Sequence, residues 1–221
     1  YMCHPCGTIA QAKLTSDKNR IMLTNNLALT GEVTLTGEVT LTEKVGEGKF
    51  GKIFGVKPQD GETRKVVKAI PSENYNTVEG KIMQLVGSQP GKNLHLIEGR
   101  VVFQDLSQVM IEMPFAKNGD LFDRVIRYHK GEVDFETVLC YMRQILKGID
   151  AMHKMRFAHR DLKLENILVF FGEDGEIILK VCDFGMSTSL PAMKEFRGGS
   201  MPYAAPELFP DNFLLLCGKE C

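Results

Sequence analysis

Near the middle of the chain, the spacing of apolar residues changes from a strand-like to a helix-like period. Before about Pro114, apolar and polar residues alternate in short runs rich in Val and Thr, which is typical of β-strands. From Leu121 the pattern is helical, and Phe135 to Met155 carries one apolar face. A mostly-β half followed by a mostly-α half predicts an α+β protein with two lobes joined near residues 114–118, where ligands commonly bind. The predicted strands are Leu41–Val45, Lys52–Val56, Arg64–Ile70, Arg100–Phe103 and Val109–Met113, and one helix is predicted near Thr77–Val86.

The near-equal numbers of basic and acidic residues bear on which partners the protein binds. The 221 residues contain 27 Lys and Arg against 28 Asp and Glu, whereas nucleic-acid-binding domains usually carry a basic excess. No apolar run approaches the length needed to span a bilayer, and the first residues lack the charged and apolar regions of a signal peptide. We therefore expect neither nucleic-acid nor membrane binding, and the sequence leaves the oligomeric state open.

The six cysteines are scattered along the chain and do not resemble a disulfide framework. This distribution predicts thiols in a reducing compartment, and therefore a protein of the cytoplasm or nucleus. Cys3 and Cys6 form a C-x-x-C pair of the kind found in zinc or redox sites. No second such pair or histidine pair accompanies it, so a disordered tail is the plainer interpretation.

A short repeat precedes the first predicted strand. The hexapeptide Leu29–Thr34 recurs as Leu35–Thr40, and a partial third copy begins at Leu41. Two copies are too few for a solenoid, so we interpret them as duplicated versions of the first strand. Residues 1–40 are accordingly predicted to be an extension of a main domain that occupies residues 41–221.

A glycine-rich motif lies between the first two predicted strands of that domain. In a dinucleotide fold this motif would open a helix, whereas here it joins two strands. Glycines in a hairpin let backbone N–H groups approach phosphates without a clash from Cβ, although an ordinary Gly-rich hairpin has the same pattern. The motif reads Gly46-Glu47-Gly48-Lys49-Phe50-Gly51-Lys52-Ile53, of the form G-x-G-x-x-G-x-[V/I].

A lysine and a glutamate follow on different predicted elements. Lys68 lies on a predicted strand and Glu79 on the predicted helix. An ion pair between two such residues can hold the lysine on the α- and β-phosphates of a nucleotide. Considered singly, each residue would ordinarily be a solvated surface charge.

Three further motifs follow in a fixed order. They are His159-Arg160-Asp161-Leu162-Lys163-Leu164-Glu165-Asn166, Asp183-Phe184-Gly185 and Ala205-Pro206-Glu207. Together with the preceding features, this set resembles the protein-kinase signatures H-R-D-x-x-x-x-N, D-F-G and A-P-E. The resemblance runs from about Leu41 to Glu207. It implies a two-lobed kinase-like fold, with a small antiparallel β N-lobe plus one helix (41–113), a hinge (114–118) and a mainly helical, incomplete C-lobe (119–221).

The resemblance implies a chemical role for each matched residue, with ATP and Mg²⁺ as cofactors. Asp161 would accept or orient the substrate hydroxyl proton, and Lys163 would lie beside the transferring phosphoryl group. Asn166 and Asp183 would hold the Mg²⁺ ions that bridge phosphate oxygens. Phosphoryl transfer depends mainly on positioning and charge neutralisation, which carboxylate, amide and ammonium groups provide.

The resemblance also implies an adenine site. Met113 aligns with the gatekeeper position, Pro114 would offer its carbonyl, and Ala116 would offer its N–H. An alternative alignment places Ile111 at the gatekeeper position but needs two extra hinge residues. Val66 replaces the usual Ala above the adenine, which narrows that part of the site.

The residues near the catalytic motif indicate the substrate class. Lys163 resembles the Ser/Thr kinases, and the segment from Gly199 to Glu207 resembles their substrate loop, with Ser200 expected to hydrogen-bond near Asp161 and Lys163. We therefore expect transfer of the γ-phosphoryl group of Mg-ATP to Ser or Thr of a protein substrate. The alternative is a non-catalytic, kinase-like nucleotide-binding scaffold or an inert truncated product.

Several positions depart from the family pattern. The interval from Lys68 to Glu79 is short, which predicts a helix abbreviated at its start, and Gly80 lowers helix propensity by roughly 1 kcal/mol relative to Ala. We expect a mobile helix that acts as a control point.

The position where relatives carry an activating phosphorylated Thr is occupied by Phe196. Activation is therefore expected to use another site, although Arg160, which would pair with such a phosphate, is present. After Glu207 too few residues follow for the remaining helices of the lobe, which predicts a truncated chain with an exposed apolar face on the 135–155 helix.

Overall fold

The computed structural model describes residues 12–14, 20–23, 28–29, 33–34, 38–48, 51–56, 64–88, 94–104, 106, 108–190 and 199–204. The chain divides into two compact units. Unit 1 comprises residues 1–92 and 97–115, and unit 2 comprises residues 93–96 and 116–221.

Unit 1 is built on an antiparallel β-sheet. Its strands are β1 (Ala12–Leu14), β2 (Arg20–Leu23), β3 (Ala28–Leu29), β4 (Val33–Thr34), β5 (Glu38–Gly48), β6 (Gly51–Val56), β7 (Lys65–Pro71), β8 (Arg100–Gln104) and β9 (Gln108–Pro114). Seven of them pair in the order β1-β2-β5-β6-β7-β9-β8, while β3 and β4 pair with each other. Strands β5 to β9 correspond to the five runs that alternation predicted. The boundaries agree to within one residue, except that β5 begins and ends three residues beyond its predicted bounds.

One face of this sheet carries an apolar core. Side chains alternate between faces along a strand, but β8 contributes two consecutive residues to this core, Val102 and Phe103, where its register with β9 is irregular. Phe54, Val56 and Ala69 pack against the buried cluster as partly buried neighbours. The buried members are Leu41, Val67, Val102, Phe103 and Met110.

Helix α1 (Thr77–Gly87) lies between β7 and β8 in the chain, where a helix was predicted. Asn76 caps its N-terminus, since its side-chain oxygen accepts a 3.1 Å hydrogen bond from the Val78 N–H. Ile82 and Met83 are fully buried on its inner face. Only Thr77 and Val78 precede Glu79 in the helix, so the expectation of an abbreviated start is confirmed, whereas the mobility of the helix stays a prediction.

The described residues of unit 2 form two α-helices, α2 (Leu121–Arg127) and α3 (Phe135–Lys154), with Asp120 and Asp134 as their N-caps. The helix predicted from Phe135 to Met155 is therefore confirmed. Apolar periodicity did not indicate the short strands of this unit, which form two antiparallel pairs, β10 with β13 and β11 with β12. These strands are β10 (Phe157–Ala158), β11 (Ile167–Phe171), β12 (Ile177–Val181) and β13 (Thr188–Ser189).

Helix α3 is joined to β12 through a polar side chain. Gln144 donates a 3.0 Å hydrogen bond to the Ile177 carbonyl and accepts a 2.9 Å hydrogen bond from the Leu179 N–H. These two bonds satisfy backbone groups on the outer edge of a two-stranded ladder, which would otherwise need water. The helix is thus held against the hairpin that follows the catalytic motif.

Helix α3 also presents apolar side chains to solvent, as the sequence predicted for a lobe with few helices. Phe135 is 71% exposed and Leu146 is 56% exposed. Leu139 and Met142 lie between them on the same face and are also exposed. In the described part of the chain, no helix has the length and apolar character to cross a membrane.

Candidate active site

A buried ion pair joins β7 to α1 in unit 1. Lys68 Nζ donates a 2.7 Å hydrogen bond to Glu79 Oε1, and the two side chains are only 9% and 1% exposed. Charges withdrawn from water in this way need a partner, because burying a lone ion costs several kcal/mol. Glu79 also lies in the first turn of α1, where the helix dipole stabilises a negative charge.

The strand register places the predicted nucleotide-binding side chains on one face of the sheet. Directly paired residues of neighbouring antiparallel strands project to the same side. Lys68 is paired with Ile53 on β6 and with Ile111 on β9, and Val66 is paired with Met113. Since positions two apart on a strand share a face, all five side chains lie on the face opposite the apolar core.

The residues that follow Met113 lead out of the sheet. Pro114 ends β9, and the Phe115 N–H extends the ladder by donating a 3.0 Å hydrogen bond to the Arg64 carbonyl. Ala116 is the first residue of the second segment of unit 2. The proposed adenine-binding residues therefore fall at the point where the chain leaves unit 1.

The glycine motif forms the end of the β5–β6 hairpin. Gly46 is paired with Ile53, Glu47 with Lys52 and Gly48 with Gly51, so the predicted strand–loop–strand arrangement is confirmed for the described residues. A Cβ atom at Gly51 would overlap the Ala69 carbonyl oxygen of β7. This position requires glycine because the two backbones approach closely. Lys49 and Phe50, at the tip of the motif, lie outside the described residues.

In unit 2, the side-chain amide of Asn166 donates two hydrogen bonds to Asp161, which lies earlier in the H-R-D-x-x-x-x-N motif. Asn166 Nδ2 donates to the Asp161 carbonyl at 2.7 Å and to Asp161 Oδ2 at 3.3 Å. A 3₁₀ turn from Leu164 to Asn166 brings this amide back toward Asp161. The Asn166 carbonyl in turn accepts a 2.9 Å hydrogen bond from the Cys182 N–H, next to Asp183. Asn166 thereby links the two motifs that carry the predicted metal ligands.

Lys163 and Ser200 surround the Asp161 carboxylate. Lys163 Nζ lies 3.4 Å from Asp161 Oδ2 and donates a 2.9 Å hydrogen bond to Ser200 Oγ. Burial by itself would raise the pKa of Asp161, but hydrogen bonding from Ser200 and the positive charge of Lys163 outweigh it, so the pKa lies below its usual value. The contacts of Ser200 that the sequence predicted are therefore confirmed.

One oxygen of Asp161 is left available. Asp161 Oδ1 is buried and has no hydrogen-bond partner among the described residues. A buried carboxylate oxygen without a partner is costly, and such atoms commonly mark a place where a ligand or water binds. The ionised state of Asp161 and this available oxygen suit a group that accepts a hydroxyl proton.

His159, two residues before Asp161 in the chain, binds the Asp161 backbone through its imidazole ring. Its Nδ1 accepts a 3.2 Å hydrogen bond from the Asp161 N–H, which assigns the proton to Nε2, where it is donated to the Cys182 carbonyl at 2.9 Å. The ring packs edge-on against Phe184, with the ring centroids 5.7 Å apart. Burial lowers the pKa of His159, although the Cys182 carbonyl and the charges of Asp183 and Asp161 act in the opposite direction.

Two residues of the motifs adopt left-handed backbone conformations. Asp183 has φ 59° and ψ 71°, and Arg160 has φ 67°. Such conformations cost free energy in residues with a side chain and persist where the surrounding structure enforces them, commonly at functional sites. Arg160 Nε donates a 2.7 Å hydrogen bond to the Met186 carbonyl, and burial lowers the pKa of the Arg160 guanidinium.

The side-chain oxygen atoms of Asn166 and Asp183 are suited to a magnesium ion whose other ligands are mainly phosphate oxygens. Across the described ranges, no group of three or more His, Cys, Asp or Glu side chains is placed to hold a metal ion. Asn166 and Asp183 offer oxygen atoms, and Mg²⁺ typically uses one or two protein ligands together with waters and substrate phosphates. The residues present therefore fit Mg²⁺ bound as a nucleotide complex.

The predicted site residues thus fall into two sets. Unit 1 contains the ion pair and the sheet-face residues, and unit 2 contains Asp161, Lys163, Asn166 and Asp183. The A-P-E motif, Phe196 and the Cys3–Cys6 pair lie outside the described residues. The Tyr75 hydroxyl lies against Gly80 of α1. No sign of this contact is present in the sequence, because no local pattern marks an aromatic residue that packs on a helix backbone.

Comparison with known protein families identifies the class of protein to which the chain belongs. The family model for the protein kinase domain matches residues 39–213, which is most of the chain. The chain therefore belongs to the protein kinase family, and its antiparallel sheet with few helices is a protein kinase fold.

The curated proteins that the chain resembles include two that are named as serine/threonine-protein kinases. The chain is 32% identical over 170 residues to a calcium and calcium/calmodulin-dependent serine/threonine-protein kinase of Oryza sativa subsp. japonica, covering 74% of this chain and 32% of the relative. It is 30% identical over 169 residues to the serine/threonine-protein kinase SAPK4 of the same organism, covering 74% and 45%. It is 35% identical over 123 residues to calcium-dependent protein kinase 29 of Arabidopsis thaliana, covering 55% and 22%. The chain spans less than half the length of each of these relatives.

Proposed function

We propose that this chain transfers the γ-phosphoryl group of Mg-ATP to Ser or Thr hydroxyl groups of a protein substrate. The observation that carries this proposal is the environment of Asp161, a buried carboxylate that is kept ionised by Ser200 and Lys163 and retains one available oxygen. Membership of the protein kinase family supports the reaction type, since proteins of this family generally use ATP and Mg²⁺.

In unit 1, the proposed task is to bind the nucleotide. The ammonium of Lys68, held by Glu79, would contact the α- and β-phosphates. Gly46, Glu47, Gly48 and the other residues of the glycine motif would cover the phosphates with backbone N–H groups. Val66, Met113, Pro114 and Ala116 would surround the adenine.

In unit 2, the proposed task is to position the acceptor hydroxyl and the metal. Asp161 Oδ1 would accept the hydroxyl proton while Asn166 holds the rest of the carboxylate in place. Lys163 would neutralise charge on the transferring group, and Asn166 and Asp183 would hold Mg²⁺. Mg-ATP, when bound, supplies the transferable phosphoryl group and the divalent charge that offsets the phosphate oxygens.

The preference for Ser and Thr is supported by the hydrogen bond between Lys163 and Ser200. A lysine two residues after the proposed catalytic Asp, hydrogen-bonded to Ser200 of the predicted substrate loop, resembles the arrangement of Ser/Thr kinases. The curated relatives are named as serine/threonine-protein kinases, which points in the same direction.

A direct assay tests this function. The chain is incubated with labelled Mg-ATP and a pool of Ser, Thr and Tyr peptides, and Asp161→Asn serves as the matched control because it keeps the side-chain shape. Transfer to Ser or Thr that this substitution abolishes is the expected result. Nucleotide binding without transfer would instead support the alternative of a non-catalytic kinase-like scaffold, and absence of both would support an inert product.

We also propose that the protein works in the cytoplasm or nucleus. Its cysteine distribution supports this location, and Cys140 lies exposed on α3 as a thiol. Cell fractionation with an antibody to this chain is the test, and recovery only from a secreted fraction would contradict the proposal.

A further inference from the structure

The segment before α1 carries an aromatic side chain that packs onto the helix. Tyr75 follows a 3₁₀ turn formed by Ser72–Asn74 and immediately precedes Asn76, the N-cap of α1. The Tyr75 side chain is half-buried, and its hydroxyl lies against Gly80. The chain therefore folds back on the first turns of its own helix.

Gly80 is the residue that leaves space for this hydroxyl. A Cβ atom built at Gly80 would overlap the Tyr75 hydroxyl oxygen, and it would lie 3.2 Å from Val101 Cγ2 on β8. Any side chain at this position would have to displace either Tyr75 or the helix. Glycine lowers the helix propensity at this position, but it is the residue type that leaves room for the Tyr75 hydroxyl.

The same contact adjoins the buried ion pair. Gly80 follows Glu79, whose carboxylate binds Lys68 at 2.7 Å. Burial, and then the negative charge of Glu79, raise the pKa of Tyr75, while hydrogen bonding to the Gly80 backbone acts in the opposite direction. The Tyr75 hydroxyl therefore lies close enough to Glu79 to be influenced by its charge.

We propose that Tyr75 is a positioning residue, which holds α1 in place by seating its hydroxyl on Gly80 and thereby keeps Glu79 at Lys68. This inference rests on the proposed function, because the placement of Lys68 affects phosphoryl transfer only in a nucleotide-dependent enzyme. Tyr75 acts through Glu79 and has no chemical step of its own. A small shift of α1 would separate the two charges, since a hydrogen bond weakens steeply as its geometry departs from the optimum.

The test compares two glycine substitutions in one helix. Gly80→Ala introduces the Cβ that meets Tyr75, whereas Gly87→Ala introduces a Cβ whose nearest neighbour is the Gly99 carbonyl oxygen at 3.8 Å, an ordinary contact. Gly87→Ala therefore controls for a Gly-to-Ala change in the same helix that makes no close contact. We expect Gly80→Ala to raise the KM for ATP roughly tenfold with a smaller change in the KM for peptide, and Gly87→Ala to change neither.

A double variant provides the rescue. Tyr75→Phe removes the hydroxyl oxygen and leaves the ring carbon Cζ, which would lie 3.5 Å from the new Cβ. Tyr75→Phe/Gly80→Ala is therefore expected to recover the KM for ATP only to within about threefold of the unmodified chain, because the overlap is removed but the hydroxyl contact with Gly80 is not restored. An equal loss in the single and double variants would overturn the proposal and assign the effect to Val101.

Hydrogen exchange gives a readout that does not depend on activity. The amides of residues 77–87 should exchange faster in Gly80→Ala than in Gly87→Ala, and the double variant should restore part of their protection. Equal protection in Gly80→Ala and Gly87→Ala would refute the positioning role. If the exchange pattern is as expected but the unmodified chain transfers no phosphate, the contact with Gly80 stands and the proposed function fails.

Discussion

The ammonium of Lys68 and the carboxylate of Glu79 are bound to each other at 2.7 Å in the interior of unit 1, although they belong to different secondary-structure elements. Neither charge would be stable there alone, because desolvation of an unpaired ion costs several kcal/mol. The pair therefore couples the placement of α1 to that of β7.

Removing one member of this pair is expected to destabilise the protein strongly. Glu79→Gln keeps the side-chain shape but deprives the buried ammonium of its opposite charge, which should lower the free energy of unfolding by about 3 kcal/mol. Urea unfolding measures the change. In the double variant Lys68→Met/Glu79→Gln the loss should be smaller than the sum of the single losses, and strict additivity would show that the two residues do not interact.

Ser200→Ala is expected to slow transfer and to change its pH dependence. A hydrogen bond to a charged group contributes about 1.5–3 kcal/mol, so its loss should reduce kcat roughly ten- to a hundredfold. Because Ser200 lowers the pKa of Asp161, its removal raises that pKa, and the acidic limb of the pH–rate profile moves to higher pH. Ser200→Thr, which keeps a hydroxyl, is the matched control, and an unshifted acidic limb in Ser200→Ala would contradict the assigned contact.

Two histidines, the half-buried His95 and the buried His159, make stability depend on pH. Burial lowers the folded-state pKa of both His95 and His159 below the unfolded value of about 6.5, so the unfolded chain binds more protons in acid. Their contribution to stability is complete above that unfolded pKa and is lost as pH falls through the lowered folded-state pKa. Thermal unfolding between pH 7.5 and 5 should show this decline, and it should be shallower in His95→Gln. An unchanged slope in that variant would exclude His95 as a source.

Gly148→Ala tests the contact between α3 and the segment that contains His95. A Cβ at Gly148 would lie 2.6 Å from the His95 carbonyl oxygen and 3.1 Å from Val181 Cγ2. Overpacking of this kind typically costs about 1–3 kcal/mol, which exceeds the roughly 1 kcal/mol gained in helix propensity. Chemical denaturation should therefore show a net loss for Gly148→Ala but no loss for Gly87→Ala. A stabilised Gly148→Ala would mean that α3 is less closely packed there.

Local patterns in the sequence were sufficient for the five strands β5 to β9 and for helices α1 and α3. Alternation located β5 to β9, and the apolar face of residues 135–155 located α3, because both depend on the periodicity of neighbouring residues. The short pairs formed by β10 to β13 were not apparent, since two to five residues carry too little periodicity to be recognised. Asp161, Lys163, Asn166 and Asp183 were found from their spacing in short motifs.

The sequence by itself determined the family and the chemical groups of the site, because these reside in short ordered motifs and in residue types. Only the tertiary structure decided which groups are paired and how each is placed. It joined Ser200 to Lys163, left Asp161 Oδ1 without a partner in the described part of the chain, and seated Tyr75 on Gly80. Such relationships arise when side chains are brought together in space and water is excluded, so the separation of residues along the chain does not specify them.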